Sequence, residues 1–168
     1  MNKKLTQICL IGDSIDDSRL VVELLNDGRQ GNYQVDHSQS LAEGIEKLTL
    51  QDFDIVLLDL FLPDSDGLVT FNTIQQREFD IPVIVLTGID DQNLALKALQ
   101  GGAQDYLVRG DFDHKLICRS IDYSIERHRL NKHLKQISIT DDLTGLYNRR
   151  GFITLAEQQL HSAERTNT

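Results

Sequence analysis

The chain is poor in cysteine and has no long apolar run, and each shortage excludes a class of protein. Its 168 residues include 2 cysteines, Cys9 and Cys118, which are too few for a disulfide framework. We therefore expect a reducing, cytoplasmic location. Charged or polar residues interrupt every apolar run before the roughly 18 residues that a membrane-spanning helix requires, so we expect no membrane partner. The amino-terminal segment lacks the cleavage pattern of a signal peptide.

Basic residues are also scarce, but only in one part of the chain. Residues 1–112 contain 8 basic and 19 acidic residues, whereas residues 113–168 contain 9 basic and 7 acidic residues. An acidic body repels phosphate backbones, so we expect no nucleic-acid ligand. The excess of carboxylates predicts a cation site in residues 1–112. The sequence contains no Walker-type loop, no GxGxxG and no HExxH motif.

Short aliphatic runs predict a buried parallel sheet. The clearest runs are 7–11, 55–58 and 83–86, and weaker candidates are 33–37 and 105–108. Runs this short are typical of strands covered on both faces. Helical patterns lie between them, including a capping box from Ser40 to Glu43 and a helix that begins at Asp90 or Asp91 and ends at Gly101 and Gly102. Five strands alternating with helices predict a doubly wound α/β domain over about residues 5–125.

The chain after Phe112 follows a different pattern. No glycine or proline occurs between Asp113 and Ile137, which predicts one long helix. One stripe of isoleucines suits packing against the sheet; it consists of Ile117, Ile121 and Ile125. A second seam suits a partner helix; it consists of Tyr123, Leu130, Leu134 and Ile137. The helix is therefore either a simple final helix or a stalk that extends beyond its domain. A further helix is predicted from Phe152 to about Ala163.

Polar side chains follow the predicted strands where each one ends. Asp13 and Asp59 follow the first and third strands, Thr87 ends the fourth, and Arg109 follows the fifth. The carboxyl ends of parallel strands form the ligand-binding edge of such a sheet. Two carboxylates with water and a phosphate suit Mg²⁺. Asp59 could be a metal ligand or a nucleophile that accepts a phosphoryl group, with Thr87 and Arg109 binding the phosphate oxygens.

Three segments resemble the receiver domain of response regulators. They are DIVLLDLFLPDSDG at 54–67, IPVIVLTG at 81–88 and GAQDYLVRG at 102–110. The resemblance implies a flavodoxin-like five-stranded sheet with strand order 2-1-3-4-5. It also implies a phosphorelay role, in which a histidine kinase or a phosphotransfer protein phosphorylates the domain.

The resemblance assigns roles to individual positions. Asp59 resembles the phosphoacceptor, and the implied Mg²⁺ ligands are Asp13, Asp59 and the backbone carbonyl of Phe61. Thr87 resembles the switch hydroxyl and Tyr106 the switch aromatic. Pro63 and Gly67 match the loop after the phosphoacceptor.

The sequence departs from the receiver pattern at three positions. Gly12 stands where the family usually has the first residue of an acidic pair, and Arg109 replaces a lysine. Gly110 stands where a proline with a preceding cis peptide is common, so we expect a different loop course. These departures leave open a receiver that docks partners without phosphorylation. A Mg²⁺-dependent phosphatase is disfavoured, because Phe61 occupies the position of its second carboxylate.

DDLTGLYNRRGF at 141–152 resembles the opening of a GGDEF-type diguanylate cyclase domain. The alternative is a purely structural role, in which the segment forms a capped turn between two helices. We expect a receiver domain at 1–125, a helical stalk at 126–140 and an amino-terminal GGDEF fragment at 141–168. The GGDEF motif is absent, so we expect this chain not to be an enzyme and not to form cyclic di-GMP. It would be the input part of a receiver–cyclase protein that dimerises through the receiver and the stalk.

Overall fold

Alternating strands and helices build the chain. In a computed structural model, the described residues are 5–26, 32–88, 91–137, 141, 143–149, 151–153 and 155–156. The strands are β1 (Thr6–Ile11), β2 (Tyr33–Ser38), β3 (Ile55–Asp59), β4 (Phe61–Leu62), β5 (Ser65–Asp66), β6 (Val83–Thr87) and β7 (Asp105–Val108). The helices are α1 (Ile15–Asn26), α2 (Leu41–Leu50), α3 (Leu68–Gln76), α4 (Gln92–Gln100) and α5 (His114–Ile137).

Five parallel strands form one sheet in the order β2-β1-β3-β6-β7. This is the predicted receiver order of 2-1-3-4-5, because the short strands β4 and β5 form a separate antiparallel pair. Sequence reasoning did not predict that pair. Each of its strands is 2 residues long and carries no run of alternating apolar residues. The predicted α/β fold class is confirmed.

Alternate residues of each central strand point to opposite faces of the sheet. Ile8, Leu10, Ile55, Leu57, Ile84 and Leu86 join one buried cluster with side chains of α1 and α5. Cys9, Ile11, Val56, Leu58, Val83 and Val85 join a second cluster with side chains of α2, α3 and α4. The sheet is thus covered on both faces, which explains why its strands read as continuous apolar runs.

Capping side chains set the beginnings of α2 and the turn before it. The Ser40 side chain accepts a hydrogen bond from the Glu43 backbone N–H, as the capping box predicts. Glu43 reaches back to the backbone N–H of Gln39 rather than to that of Ser40. Asp64 adds a second cap from the β4–β5 turn, since its carboxylate accepts from the N–H groups of Leu41 and Ala42. The turn that follows β3 is therefore tied to the start of α2.

The long carboxyl-terminal helix is α5, and the sheet-facing stripe predicted for it is confirmed. Ile117 and Ile121 are fully buried, and Ile125 packs against the same cluster. Two compact units divide within α5, Met1–His128 and Arg129–Thr168. Among the described residues no helix is long and apolar enough to cross a membrane. Asp90, the side chain of Ile137 and most of the helix predicted from Phe152 to Ala163 lie outside the described residues.

Candidate functional site

Asp59 lies at the carboxyl end of β3, the central strand of the sheet. The alternation of β3 places it on the face of Ile55 and Leu57, beneath α1 and α5. Its residue surface is only 3% exposed. Its Oδ1 accepts a hydrogen bond of 3.0 Å from the backbone N–H of Phe61. A carboxylate is therefore held almost out of solvent at the edge where such sheets bind ligands.

Arg109 supplies the cation of the site. It follows β7 with the parity of Leu107, which places it on the same face as Asp59. One terminal nitrogen of its guanidinium, Nη2, pairs with Asp59 Oδ2. The other, Nη1, lies 3.2 Å from Asp17 Oδ2. The planar fork of arginine thus joins two carboxylates from different elements, β3 and α1.

Burial has the largest effect on the pKa of Asp59. Desolvation raises the pKa of this carboxyl above its ordinary value, although the Phe61 N–H and the charge of Arg109 oppose the change. The negative charge of Asp13 raises the pKa further. The folded state therefore binds a proton on Asp59 more readily than the unfolded state does, despite the ion pair.

Asp13 lies in the loop after β1, and Phe61 begins β4, two residues after Asp59. Asp13 is exposed to solvent, and its charge acts on Asp59. Phe61 is 39% exposed, and its backbone N–H is engaged with Asp59. Both residues therefore act on Asp59, Phe61 through a hydrogen bond and Asp13 through its charge.

Thr87 and Tyr106 belong to the opposite face of the sheet. Thr87 has the parity of Val83 and Val85, and Tyr106 packs against the cluster that contains those valines. Thr87 is 1% exposed, and its hydroxyl donates to the carbonyl of Gly88 at 2.8 Å. The structure therefore brings Asp59 and Arg109 into direct contact. Thr87 follows Leu86, the register partner of Asp59, so it ends the neighbouring strand at the same carboxyl edge of the sheet.

The loop after β7 takes the different course that the sequence predicts. The described residues contain no cis peptide bond, and Gly110 has a φ of 84°. Proline is locked near −65°, so it could not adopt this conformation. Gly67, the residue that precedes α3, has a φ of 59° and likewise needs the freedom of glycine.

Sequence reasoning did not single out Asp17 as a partner of Arg109. Helical spacing could have done so, because Asp17, Val21 and Leu25 follow one another at intervals of four along α1. Val21 and Leu25 are buried against the sheet, whereas Asp16 is exposed. The same phase brings Ser18 inward, where its hydroxyl lies 2.8 Å from His37 Nε2. His37 Nε2 also lies 2.7 Å from the carbonyl oxygen of Gly12.

A cavity of about 260 Å³ adjoins these side chains. Its polar wall includes Asp17, Asp59 and Arg109, and its apolar wall includes Leu10, Leu20, Val21, Leu86 and Phe112. Gly12 also lines it, and a Cβ at that position would meet Ser18 Oγ at 3.7 Å and Asp59 Cβ at 3.8 Å. Both are ordinary contact distances. A Cβ at position 12 would therefore have room beside Asp59.

The donor set suits a weakly held hard cation. Among the described residues, no group of three or more His, Cys, Asp or Glu side chains is arranged to hold a metal ion. Mg²⁺ commonly uses only one or two carboxylates and keeps several waters. Asp13 and Asp59 repel each other, as the raised pKa of Asp59 indicates, and a cation between them would relieve that repulsion. The residues present fit Mg²⁺ on this ground.

Comparison with known proteins assigns the part of the chain that contains the sheet to a family. Residues 8–122 match the family model described as the response regulator receiver domain. The cell cycle transcriptional regulator CtrA of Caulobacter vibrioides is 29% identical over 101 residues, which are 60% of this chain and 42% of CtrA. The transcriptional regulatory protein ZraR of Klebsiella oxytoca is 31% identical over 114 residues, 67% of this chain and 25% of ZraR. The chain thus spans less than half of the length of these relatives.

Solved structures agree on the architecture. A response regulator receiver domain protein from Clostridium thermocellum is 27% identical with a TM-score of 0.65, over 76% of this chain and 99% of that one. NtrX from Brucella abortus, in complex with ADP, is 19% identical with a TM-score of 0.71, over 83% of this chain and 31% of NtrX, and shows the fold alone. Since the family model covers more than half of its length, the chain belongs to the response regulator receiver domain family of two-component systems.

Proposed function

We propose that Asp59 accepts a phosphoryl group from a histidine kinase or a phosphotransfer protein in the cytoplasm. The observation that carries the proposal is the buried Asp59 carboxylate at the carboxyl end of β3, hydrogen-bonded by Phe61 and paired with Arg109. A carboxylate oxygen of Asp59 attacks phosphorus, and the bond from phosphorus to the donor's histidine nitrogen breaks. The products are an acyl phosphate on Asp59 and a neutral or protonated imidazole on the donor.

Three side chains and one backbone carbonyl would serve this transfer directly. Asp13, Asp59 and the carbonyl of Phe61 would hold Mg²⁺, which when bound supplies positive charge to the phosphoryl oxygens. Arg109 already lies against Asp59 and would bind an oxygen of the new phosphate by a charge-assisted hydrogen bond. The charges that hold Asp59 before transfer would thus hold its phosphate afterwards.

Thr87 and Tyr106 would convert the modification into a change of surface. The Thr87 hydroxyl donates to Gly88 in this structure, and it could donate to a phosphate oxygen on Asp59 instead. Tyr106 lies on the same face of the sheet and is half-buried, so it could move into the space that Thr87 leaves. The altered face would then favour dimerisation.

Intact-mass spectrometry after incubation with a small phosphodonor and Mg²⁺ tests the transfer. We expect a mass increase of one phosphoryl group on the wild-type chain and none on Asp59→Asn. Asp13→Asn is expected to slow the reaction, whereas Asp52→Asn, which removes an exposed charge outside the site, should leave it unchanged. An adduct that persists in Asp59→Asn, or the lack of any adduct on the wild type, contradicts the proposal.

A second candidate is a receiver that docks partners without phosphorylation. Gly12 provides no carboxylate. The guanidinium of Arg109 pairs with Asp59 Oδ2 and also with a second acid, Asp17. These contacts could hold the site permanently in one state. Calorimetric titration separates the candidates, because a folded chain with no detectable Mg²⁺ binding favours docking and Mg²⁺ binding that requires Asp59 favours phosphotransfer.

The output that we propose is a diguanylate cyclase domain beyond the stalk. The support is the sequence at 141–152, whose described residues form a capped turn. The Asp141 carboxylate accepts hydrogen bonds from the N–H and hydroxyl of Thr144, and these bonds lower its pKa. Asn148 Oδ1 accepts from the Gly151 N–H at 2.9 Å, and residues 149, 151–153 and 155–156 are helical. This geometry suits either a GGDEF opening or a plain interhelical turn.

Exposed apolar side chains support a packed domain around this segment. Leu143 is 94% exposed, Leu146 70% and Phe152 69%. A plain turn gains nothing from such side chains, whereas a domain packed around them would bury them.

CtrA and ZraR are named as transcriptional regulators, but the chain covers only a part of each protein. The natural protein containing this chain should form cyclic di-GMP from GTP, faster when phosphorylated; specific DNA binding without cyclase activity would contradict this output.

Dimerisation would connect the receiver to its output. Tyr123, Leu130 and Leu134 of the predicted seam are 69%, 52% and 60% exposed along α5. Apolar residues at this spacing suit a second copy of the same helix. Sedimentation velocity of the chain with a beryllofluoride phosphate mimic should show a dimer that Leu130→Ser weakens. Leu50→Ser, at an exposed site on α2, is the matched control; equal behaviour of the two variants contradicts a stalk interface.

A further inference from the structure

Asp17 makes a contact that the receiver resemblance does not assign. Its Oδ2 lies 3.2 Å from Arg109 Nη1, while Nη2 of the same guanidinium pairs with Asp59. The side chains of Asp17 and Arg109 are 49% and 30% exposed, whereas that of Asp59 is 4% exposed. One cation therefore joins a buried carboxylate to a partly solvated one on α1.

Two departures from the receiver pattern meet at this contact. Gly12 leaves the wall beside Asp59 without a carboxylate, and Asp17 brings one to the same cavity from the first turn of α1. Arginine at position 109 can engage both acids at once, because its terminal nitrogens are fixed in a planar fork. A lysine ammonium is a compact point charge on a flexible chain and lacks this planar fork.

We infer that Asp17 is a positioning residue, which fixes the Arg109 guanidinium so that its second nitrogen meets Asp59. The inference deepens the proposed phosphotransfer and rests on it for its functional consequence. The geometric part, a guanidinium clamped between two acids, holds whether or not Asp59 is phosphorylated.

Nitrogen NMR of arginine-labelled chain tests the clamp without any phosphodonor. A guanidinium bound at both terminal nitrogens rotates slowly, so we expect two resolved Nη signals, assigned to Arg109 by their loss in Arg109→Lys. In Asp17→Asn these signals should merge. Asp16→Asn removes an exposed charge one residue away and should leave them resolved. Signals that stay resolved in Asp17→Asn, or that are already averaged in the wild type, overturn the inference.

A double-mutant cycle then tests the functional part. Asp17→Asn should slow phosphorylation of Asp59 by about two- to fivefold, the range for a partly exposed ion pair. The same change in an Arg109→Ala chain should have no effect, because no guanidinium remains for Asp17 to position. An unchanged or faster rate in Asp17→Asn, or an equal loss in both backgrounds, overturns the positioning role.

The two experiments separate two kinds of failure. If the wild-type chain takes up no phosphate while Arg109 shows two Nη signals that depend on Asp17, the proposed phosphotransfer fails and the clamp stands as a fixed feature of a docking module. If phosphate is taken up but the signals do not depend on Asp17, phosphotransfer stands and the clamp fails.

Discussion

Replacing Asp59 by asparagine should make the folded chain more stable, although it removes an ion pair. Asp59 is 3% exposed, and burying an ionised carboxylate costs several kcal/mol, here about 4 kcal/mol. The charge-assisted hydrogen bond from the N–H of Phe61 stabilises the charged form by about 2 kcal/mol. The partly exposed pair with Arg109 stabilises it by about 1 kcal/mol. The charged form is therefore destabilised by a net of about 1 kcal/mol, which agrees in sign with the raised pKa of Asp59.

The pH dependence of this effect has a definite sign. Because the pKa of Asp59 is raised in the folded state, the folded chain binds the proton more tightly than the unfolded chain. The stability that protonation contributes is therefore present at acid pH and is lost as pH rises through the folded pKa. The advantage of Asp59→Asn should be largest near neutral pH and should shrink as Asp59 of the wild type becomes protonated.

Urea unfolding of the two chains at a series of pH values measures the difference. Near neutral pH we expect the free energy of unfolding of Asp59→Asn to exceed that of the wild type by about 1 kcal/mol, or about 2–4 °C in Tm. A loss of about 3–5 kcal/mol would instead show that the Arg109 pair outweighs desolvation, and would refute the reasoning. Millimolar Mg²⁺ provides an internal check, since it should stabilise only the chain that retains Asp59.

Three further predictions follow from single contacts. Gly12→Asp, whose Cβ would meet its neighbours at ordinary contact distances, should tighten Mg²⁺ binding about three- to tenfold by calorimetric titration, because a carboxylate is added beside Asp59. Gly44→Ala would place a Cβ 2.4 Å from Ile11 Cδ1 and should cost about 1–3 kcal/mol in urea unfolding. Asp64→Asn should cost about 0.5–1 kcal/mol as a weakened cap. Burial opposes the charge of Asp64, but the N–H groups at the start of α2 hold its pKa low, so its contribution should disappear as pH falls through that pKa.

A specific result would contradict each of these three predictions. Unchanged Mg²⁺ affinity in Gly12→Asp would mean that the added carboxylate does not reach the cation. Gly44→Ala should be rescued in part by Ile11→Ala, and a failure of rescue would place the strain elsewhere. If Asp64→Asn and the wild type differ equally at acid and neutral pH, the effect does not arise from the charge of Asp64.

The sheet could be predicted from the sequence because its strands are buried on both faces. The runs Ile55 to Leu58 and Val83 to Leu86 contain no polar residue, so both strands can be located in the sequence. Asp59, the first polar residue after Leu58, marks the carboxyl edge of the sheet. Strand order followed from the receiver resemblance rather than from the pattern. The β4–β5 pair could not be seen, since two-residue strands carry no periodicity.

The candidate site was predicted only in part, for a different reason. Strand parity places Asp59 and Arg109 on one face, but a strand pattern says nothing about which acid on α1 meets the guanidinium. Asp16 and Asp17 are adjacent in sequence, and only the phase of the helix separates an exposed carboxylate from one that reaches Arg109. The partner of Thr87 was likewise beyond the sequence, because the hydroxyl donates to the carbonyl of Gly88, its own neighbour.

The location of the phosphoryl group tests the central claim most directly. After incubation with a phosphodonor and Mg²⁺, reduction of the acyl phosphate with borohydride and digestion would identify the modified residue by mass. Modification of Asp59 alone, dependent on Mg²⁺ and absent from the unfolded chain, is the predicted result. An unmodified Asp59 in a folded, Mg²⁺-saturated chain, or a label on another carboxylate, would contradict the claim that this receiver acts by phosphorylation.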